Sequence, residues 1–176
     1  SSHMYIKGGT VTVVATGNDG LDSNGNLYIQ GGTIMAFGTS SPECGIDANE
    51  EEGYSVIFTG GTLLAVGGGN STPSTSESTQ PYVSGSMSVT ADTEVALKSG
   101  DTVLAKFTVP SNYTSGNGGQ GGGPGGGGPG GWGGGGSSVL ITCPGLTSGS
   151  SYTMTSGTSS STVTATTGGN SGGRPW

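Results

Sequence analysis

The sequence predicts an all-β protein in which a parallel β-helix of about three rungs is followed by antiparallel hairpin strands. The first observation is a repeat, because Gly-Gly-Thr triplets begin at Gly8, Gly31 and Gly60, each between short apolar segments. Repeats of this period, rich in β-branched residues, indicate a solenoid. The second observation is composition. With 29% hydrophobic residues, 9% charged residues and 40 glycines, the chain suits rungs that each bury only a few side chains.

The three triplets define how the repeats in residues 5–70 align with one another. Aligning the triplets creates two columns of apolar residues, which we expect to point inward and to stack about 4.8 Å apart. The columns are Val11, Ile34 and Leu63, and Val13, Ala36 and Ala65. Glycine at the corners supplies the positive φ and the close approach that sharp bends between sheets require.

The turns between the repeats also align. The aligned pairs are Gly20 with Gly45, Leu21 with Ile46, Asp22 with Asp47, and Asn24 with Asn49. Two carboxylates at strand spacing repel each other by roughly 1 kcal/mol in water, and a hard cation reverses that cost. Calcium prefers oxygen ligands, which five residues offer here: Asp19, Asp22, Asn24, Asp47 and Asn49. Alternatively, these residues are turn formers that bond their own backbone. We expect Glu50, Glu51 and Glu52 to form a solvated loop and not to be ligands.

The rest of the chain lacks the repeat. Residues 71–81 are rich in Ser and Thr and predict a surface loop. Residues 82–167 predict a C-terminal strand region with a hairpin turn at 99–101. The predicted strands there are 87–89, 95–98, 103–109, 138–142, 151–154 and 161–165. A Gly-rich segment, 116–136, interrupts this region as either a linker or extended glycine packed on a surface, and the tail, 168–176, repeats its composition.

Charge and cysteine content exclude several classes. A net charge of -7 with four Lys plus Arg argues against partners that are nucleic acids or anionic lipid surfaces. No apolar run is long enough to span a bilayer, so we expect no membrane insertion. Cys44 and Cys143 lack the spacing of a thiolate metal site and are either a disulfide pair or two small buried thiols.

Two segments resemble a known family. Residues 28–33 (Tyr-Ile-Gln-Gly-Gly-Thr) and 20–25 (Gly-Leu-Asp-Ser-Asn-Gly) resemble the carbohydrate-binding β-helix domain of bacterial secreted and surface proteins, formerly a domain of unknown function. The endings at 107–115 and 137–153 are similar as well, so the resemblance covers most of the chain from Tyr5 to about Thr167. It implies a right-handed parallel β-helix, bound calcium and affinity for plant-type polysaccharides, acidic ones included. The family usually has more rungs and lacks the Gly-rich insertion, so sites on missing rungs do not transfer.

We expect no enzymatic activity. A pectin lyase needs a basic side chain beside its metal, yet the only arginine, Arg174, lies in the tail and no lysine falls near the acidic turns. A glycoside hydrolase needs two carboxylates, and the stacked Asp22 and Asp47 suit a metal better. The single histidine, His3, lies at the frayed start.

Two functions follow. The first is a non-catalytic extracellular or cell-surface module that binds calcium and polysaccharide, with Tyr5 and Tyr28 aligned as either an exposed sugar platform or a structural ladder. The second is a self-assembling protein that forms a fibre or surface layer by end-to-end β-stacking, because nothing caps the first rung. Trp132 and Trp176, in the Gly-rich segments, are candidate assembly contacts or sugar platforms. The resemblance favours the first function.

Overall fold

The computed structural model describes residues 1–114 and 136–167. Those residues form an all-β protein with no α-helix, which confirms the predicted class; the one helical turn is a 3-10 turn at Glu50–Glu52. In chain order the strands are β1 (Met4–Ile6), β2 (Thr10–Val14), β3 (Leu21–Ser23), β4 (Leu27–Ile29), β5 (Thr33–Phe37), β6 (Ile46–Ala48), β7 (Val56–Phe58), β8 (Thr62–Gly67), β9 (Tyr82–Met87), β10 (Glu94–Ser99), β11 (Thr102–Thr108), β12 (Ser137–Thr142), β13 (Ser151–Ser156) and β14 (Ser159–Thr164). Trp132, Trp176, most of the Gly-rich segment and the tail lie outside the described residues.

Parallel pairing stacks the repeats in three ladders. Strands β1, β4 and β7 form the first ladder, β2, β5 and β8 the second, and β3 and β6 the third. The second ladder has the predicted register, with Val11 beside Ile34 and Ile34 beside Leu63. The third ladder pairs Leu21 with Ile46, also as predicted. Side chains from all three ladders meet in one apolar cluster, so the two predicted columns do point inward.

The Gly-Gly-Thr triplets form the corner between the first and second ladders. Their second glycines, Gly9, Gly32 and Gly61, have φ values of 82°, 90° and 83°, a region that side chains other than glycine rarely adopt. In the second and third triplets the first glycine, Gly31 or Gly60, also passes close to the preceding repeat. A Cβ on Gly31 would lie 2.5 Å from the carbonyl oxygen of Lys7. The second and third triplets therefore combine a left-handed residue with a close backbone approach, which is why the motif recurs at this corner of each repeat.

The Ser- and Thr-rich segment covers one end of the ladders. Its residues 69–80, called here the end segment, contain no strand but bond to the outer edges of β6 and β7. Ile46 N–H donates to Asn70 Oδ1 (3.0 Å), and Phe58 N–H donates to Ser78 Oγ (3.2 Å). Side-chain oxygens here take the place of a next strand's carbonyls, so the segment predicted as a surface loop closes that end of the molecule.

The C-terminal strands add to the repeats instead of standing apart. Strands β12 and β9 extend the second ladder antiparallel beyond β8, giving a five-stranded sheet of order β2-β5-β8-β12-β9. The other four strands form an antiparallel sheet of order β11-β10-β13-β14, which contains the predicted hairpin between β10 and β11. The strand predicted at 87–89 lies earlier, at Tyr82–Met87, because it pairs with β12 over that whole length.

The middle strands of the five-stranded sheet, β8 and β12, are buried on both faces. Leu63 and Ala65 of β8 point into the cluster formed by the ladders, whereas Leu64 and Val66 point into a second cluster shared with the antiparallel sheet. This explains why β8 reads as a continuous apolar run and not as an alternating one. Within the described part of the chain no helix is long and apolar enough to span a membrane.

Candidate metal and ligand site

A polar cleft of about 380 Å³ lies along the outer face of the third ladder. Its lining consists of residues from the two aligned segments, namely Asp22, Ser23, Asn24, Asp47, Ala48, Asn49, Glu50 and Glu51. Four of the five predicted calcium ligands are among them. The alignment made from the sequence therefore brings Asp22, Asn24, Asp47 and Asn49 together on one surface.

Strand alternation explains why the aspartates face outward. In β3 the residues on either side of Asp22 are buried, and the same holds for Asp47 in β6. The parallel pairing sets Asp22 directly beside Asp47. A hydrogen bond from Asn49 N–H to the Ser23 carbonyl (3.1 Å) continues the ladder to the point where Asn24 and Asn49 follow.

The environment of the cleft raises the pKa of Asp22. Burial raises the pKa of the Asp22 carboxyl above its ordinary value of 3.8, and the nearby charges of Asp19 and Asp47 raise that pKa further. Because both additional causes are carboxylates, a cation placed between Asp22 and Asp47 would remove the repulsion and gain ligands at once.

Hydrogen bonds from the end segment orient two other carboxylates of the cleft, those of Asp47 and Glu50. Ser71 Oγ donates to Asp47 Oδ1 at 2.6 Å and accepts from the buried Ala48 N–H at 3.0 Å. Thr72 N–H donates to Glu50 Oε1 at 2.8 Å. These bonds fix one oxygen of each carboxylate, so the orientation of Asp47 is set by a segment more than twenty residues further along the chain.

Asp19 lies apart from the cleft. Its Oδ1 accepts a hydrogen bond from the backbone N–H of Cys44, which ties the turn before β3 to the turn before β6. Asp19 thus acts on Asp22 through its charge while its oxygen is used in a structural bond. Glu50 and Glu51 are exposed, as expected for the predicted solvated loop, and they also line the cleft. Their position directly after Asn49 was the sequence signal that could have added them to the candidate ligands. In residues 1–114 and 136–167 no three His, Cys, Asp or Glu side chains are grouped closely enough to hold a metal by themselves.

Four aromatic side chains form a second surface, called here the aromatic group: His3, Tyr5, Tyr28 and Tyr54. Tyr5 and Tyr28 pair across β1 and β4 and stack face to face, with ring centroids 4.5 Å apart and planes 2° from parallel. His3 meets the three tyrosines edge-on. The predicted alignment of Tyr5 with Tyr28 is confirmed, and Tyr5 remains 51% exposed at the end of the stack.

The turn at 24–26 joins the cleft to the aromatic group. Asn24 lines the cleft, and two residues later Asn26 Nδ2 donates to the Tyr28 hydroxyl at 2.9 Å. The Asn26 backbone N–H donates to His3 Nδ1 at 2.9 Å. The side-chain oxygen of Asn26, Oδ1, accepts a hydrogen bond from Ser55 N–H at 2.8 Å. The cleft and the aromatic group therefore lie on either side of one turn. The three hydrogen bonds of Asn26 hold this turn in place.

The two cysteines are both free thiols. Cys143 is buried in the cluster between the sheets, whereas Cys44 is half-buried beside the acidic turn. The pKa of Cys44 is raised to about 11, first by burial and then by the charges of Asp47, Asp19, Glu50 and Glu43. Cys44 is thus a protonated thiol at neutral pH and a weak nucleophile.

The cleft offers carboxylate and amide oxygens that suit a hard cation, and the aromatic group offers a ring face that suits an apolar or pyranose surface. Lys106 of β11 is paired with Glu94 at 3.2 Å on the antiparallel sheet, away from both surfaces. A scan against family models and searches of curated proteins and of solved structures found no match to this chain.

Proposed function

We propose that this chain is a short right-handed parallel β-helix module that binds polysaccharide with the help of calcium and catalyses no reaction. The observation that carries the proposal is the shared turn at 24–26, which sets an oxygen-lined cleft beside an exposed aromatic stack. Such a pair of surfaces is what a sugar chain needs, with a cation or polar groups for hydroxyls and carboxylates and a ring for the pyranose face. We place the module outside the cell or on its surface, where such polymers occur.

The β-helix assignment is supported by three parallel ladders in consistent register and by a left-handed glycine at the same corner of each repeat. Consecutive strands of one repeat belong to three different ladders, as expected for a chain that coils around one apolar interior.

Calcium would be held by Asp22, Asn24, Asp47 and Asn49, with Glu50 and Glu51 at the rim. The donor set fits, because calcium takes six to eight oxygens from carboxylates, amides and carbonyls in flexible geometry. Asp19 would add negative potential without being a ligand, since its carboxylate bonds to the Cys44 N–H. Bound calcium would also present open positions to hydroxyls or carboxylates of a sugar, including those of an acidic polysaccharide.

Sugar stacking would use Tyr5. One face of its ring is covered by Tyr28, and the half-exposed side chain leaves the rest of the ring available. Lys7, whose Nζ lies 5.9 Å from the centre of the Tyr5 ring, adds a cation to this surface and would attract an acidic chain.

Affinity electrophoresis in gels containing polygalacturonate, xylan or mannan, run with calcium or with EDTA, tests the proposal. We expect retardation by at least one polymer with calcium, and its loss in EDTA, in Tyr5→Ala and in Asp22→Asn. Val103→Ala is the matched control, because Val103 is 48% exposed on the antiparallel sheet away from both surfaces. Equal mobility in every gel with and without calcium would contradict the proposal.

A further inference from the structure

One end of the ladders presents unused pairing edges. Among residues 1–114 and 136–167, no strand pairs with the outer edges of β1, β2 and β3, which are called here the open end. The inward apolar side chains of β1 and β2 are only partly buried: Met4, Ile6, Val11 and Val13. The opposite end is covered by the end segment, so the two ends of the molecule are chemically different.

Hydrogen bonds determine which backbone groups face outward on β2. Thr33 N–H donates to the Gly9 carbonyl, and Ala15 N–H donates to the Phe37 carbonyl. Because backbone groups alternate sides along a strand, odd-numbered residues of β2 bond to β5. Thr10, Thr12 and Val14 therefore direct their N–H and C=O groups to the open end.

The same argument applies to the two short strands. Met4 N–H donates to Asn26, and Ile6 C=O accepts from Gln30, so the backbone groups of Tyr5 face outward on β1. Leu21 N–H and Ser23 C=O bond to the second repeat, so those of Asp22 face outward on β3. The open end thus offers a central row of three residues flanked by one residue on each side.

We propose that two copies of this chain pair through their open ends about a two-fold axis that passes between the two copies of Thr12. The axis reverses strand direction, so β2 pairs antiparallel with its own copy while β1 pairs with the partner's β3. The strand lengths match, because β2 has five residues and pairs with itself, and β1 and β3 have three residues each.

Backbone and side chains agree with this register. In β2, Thr12 faces the partner's Thr12 and Thr10 faces the partner's Val14, and all of these residues have outward backbone groups, as hydrogen-bonded antiparallel pairs require. The inward residue Val11 then meets the partner's Val13, so apolar side chains continue from one molecule into the other.

Charge complementarity supports the flanking pairs. Tyr5 lies opposite the partner's Asp22, and Lys7, beside the Tyr5 ring, supplies a positive charge to that carboxylate. Next to it, Ile6 lies opposite the partner's Leu21, an inward apolar pair. Only the open end of each molecule can pair in this way, because the end segment already covers the opposite end. The assembly is therefore a closed dimer and not a fibre.

Sedimentation velocity over a range of protein concentrations tests the dimer. We expect twice the chain mass of 17.0 kDa for the unaltered chain and for Thr12→Ala, which keeps the backbone donor. Thr12→Pro removes an outward N–H but none of the bonds to β5, so it should be monomeric and retain the β-rich circular dichroism spectrum. A monomer at every concentration, an unlimited polymer, or a Thr12→Pro dimer would overturn the proposal.

Cross-linking tests the register. In a Cys44→Ser background, Thr12→Cys should form a disulfide-linked dimer, because hydrogen-bonded antiparallel partners lie about 5.5 Å apart at Cα. Thr10→Cys should not, since its copy would lie about 13 Å away. Equal cross-linking at both positions overturns the register. The dimer would cover Tyr5 and Asp22, so polysaccharide and calcium would bind these residues in the monomer and compete with pairing. Neither Thr12 nor Thr10 belongs to the cleft or the aromatic group, and the sedimentation and cross-linking experiments are run without either ligand.

Discussion

Ser71 Oγ donates to Asp47 Oδ1 at 2.6 Å while accepting a hydrogen bond from the Ala48 N–H at 3.0 Å. One hydroxyl thus closes the edge of β6 and orients a carboxylate of the cleft. The end of the repeats and the candidate calcium site are thereby coupled, because any change at Ser71 alters both.

We predict that Ser71→Ala destabilises the fold by about 1–3 kcal/mol, because the buried Ala48 N–H loses its acceptor and Ser71 is itself buried. Urea denaturation followed by circular dichroism measures the change. Thr75→Ala, at an exposed position of the same segment, is the control and should lie within about 0.5 kcal/mol of the unaltered chain. A Ser71→Ala midpoint equal to that of the control would contradict the capping role.

Asp22→Asn should stabilise the protein in EDTA and abolish its stabilisation by calcium. The folded-state pKa of Asp22 is raised, so the ionised carboxylate opposes folding. That loss of stability appears as the pH rises from below 3.8 through the raised pKa, and it persists at neutral pH. Removing the charge relieves this repulsion. Because Asp22 is exposed and screened by solvent, the expected gain in the free energy of unfolding is roughly 1 kcal/mol or less.

Thermal melts at pH 4 and pH 7, with calcium or EDTA, check this prediction. The melting temperature of the unaltered chain in EDTA should fall between pH 4 and pH 7 by more than that of Asp22→Asn. Asp101→Asn, in the β10–β11 hairpin, serves as the matched control for loss of one carboxylate. A calcium-induced rise in melting temperature that survives in Asp22→Asn would exclude Asp22 as a ligand.

Cys44 should react slowly with iodoacetamide in the native protein, and Cys143 only after unfolding. With a pKa of about 11, Cys44 is largely protonated at pH 8.5, where a free thiol is about half ionised. We expect alkylation roughly tenfold to a hundredfold slower than for N-acetylcysteine, accelerating as the pH approaches 11. Mass spectrometry should find one label on the native chain and two after denaturation without reductant. A chain that takes up no label until it is reduced would contain a disulfide.

The repeat part of the fold could be predicted because its causes are local in sequence. A left-handed glycine such as Gly32 and the inward residue Ile34 lie within one triplet and its strand, so aligning the triplets was sufficient to obtain the ladders. The same alignment brought Asp22 beside Asp47.

The remaining features depend on contacts between distant parts of the chain. The pairing of β8 with β12 joins residues more than seventy positions apart, and the sequence contains no repeat that marks it. The bond from the Cys44 N–H to Asp19 and the bonds of Ser71 are of the same kind. Serine and aspartate also occur in turns because they bond to their own neighbouring backbone. Their presence in a turn therefore did not show that they bind backbone groups of a distant segment.

The corner glycines give the most direct test of how the repeats are built. We predict that Gly32→Ala destabilises the protein by at least about 2 kcal/mol, because it adds strain at φ 90° to a contact of 2.7 Å between the new Cβ and the carbonyl oxygen of Gly9. Gly9→Ala meets no atom within 4 Å and adds only the strain of φ 82°, so it should cost about 1 kcal/mol. Gly8→Ala, which has open space and no positive φ, should be nearly neutral. Urea denaturation of the three variants should give this order, and equal midpoints for Gly8→Ala and Gly32→Ala would show that the corner does not need glycine.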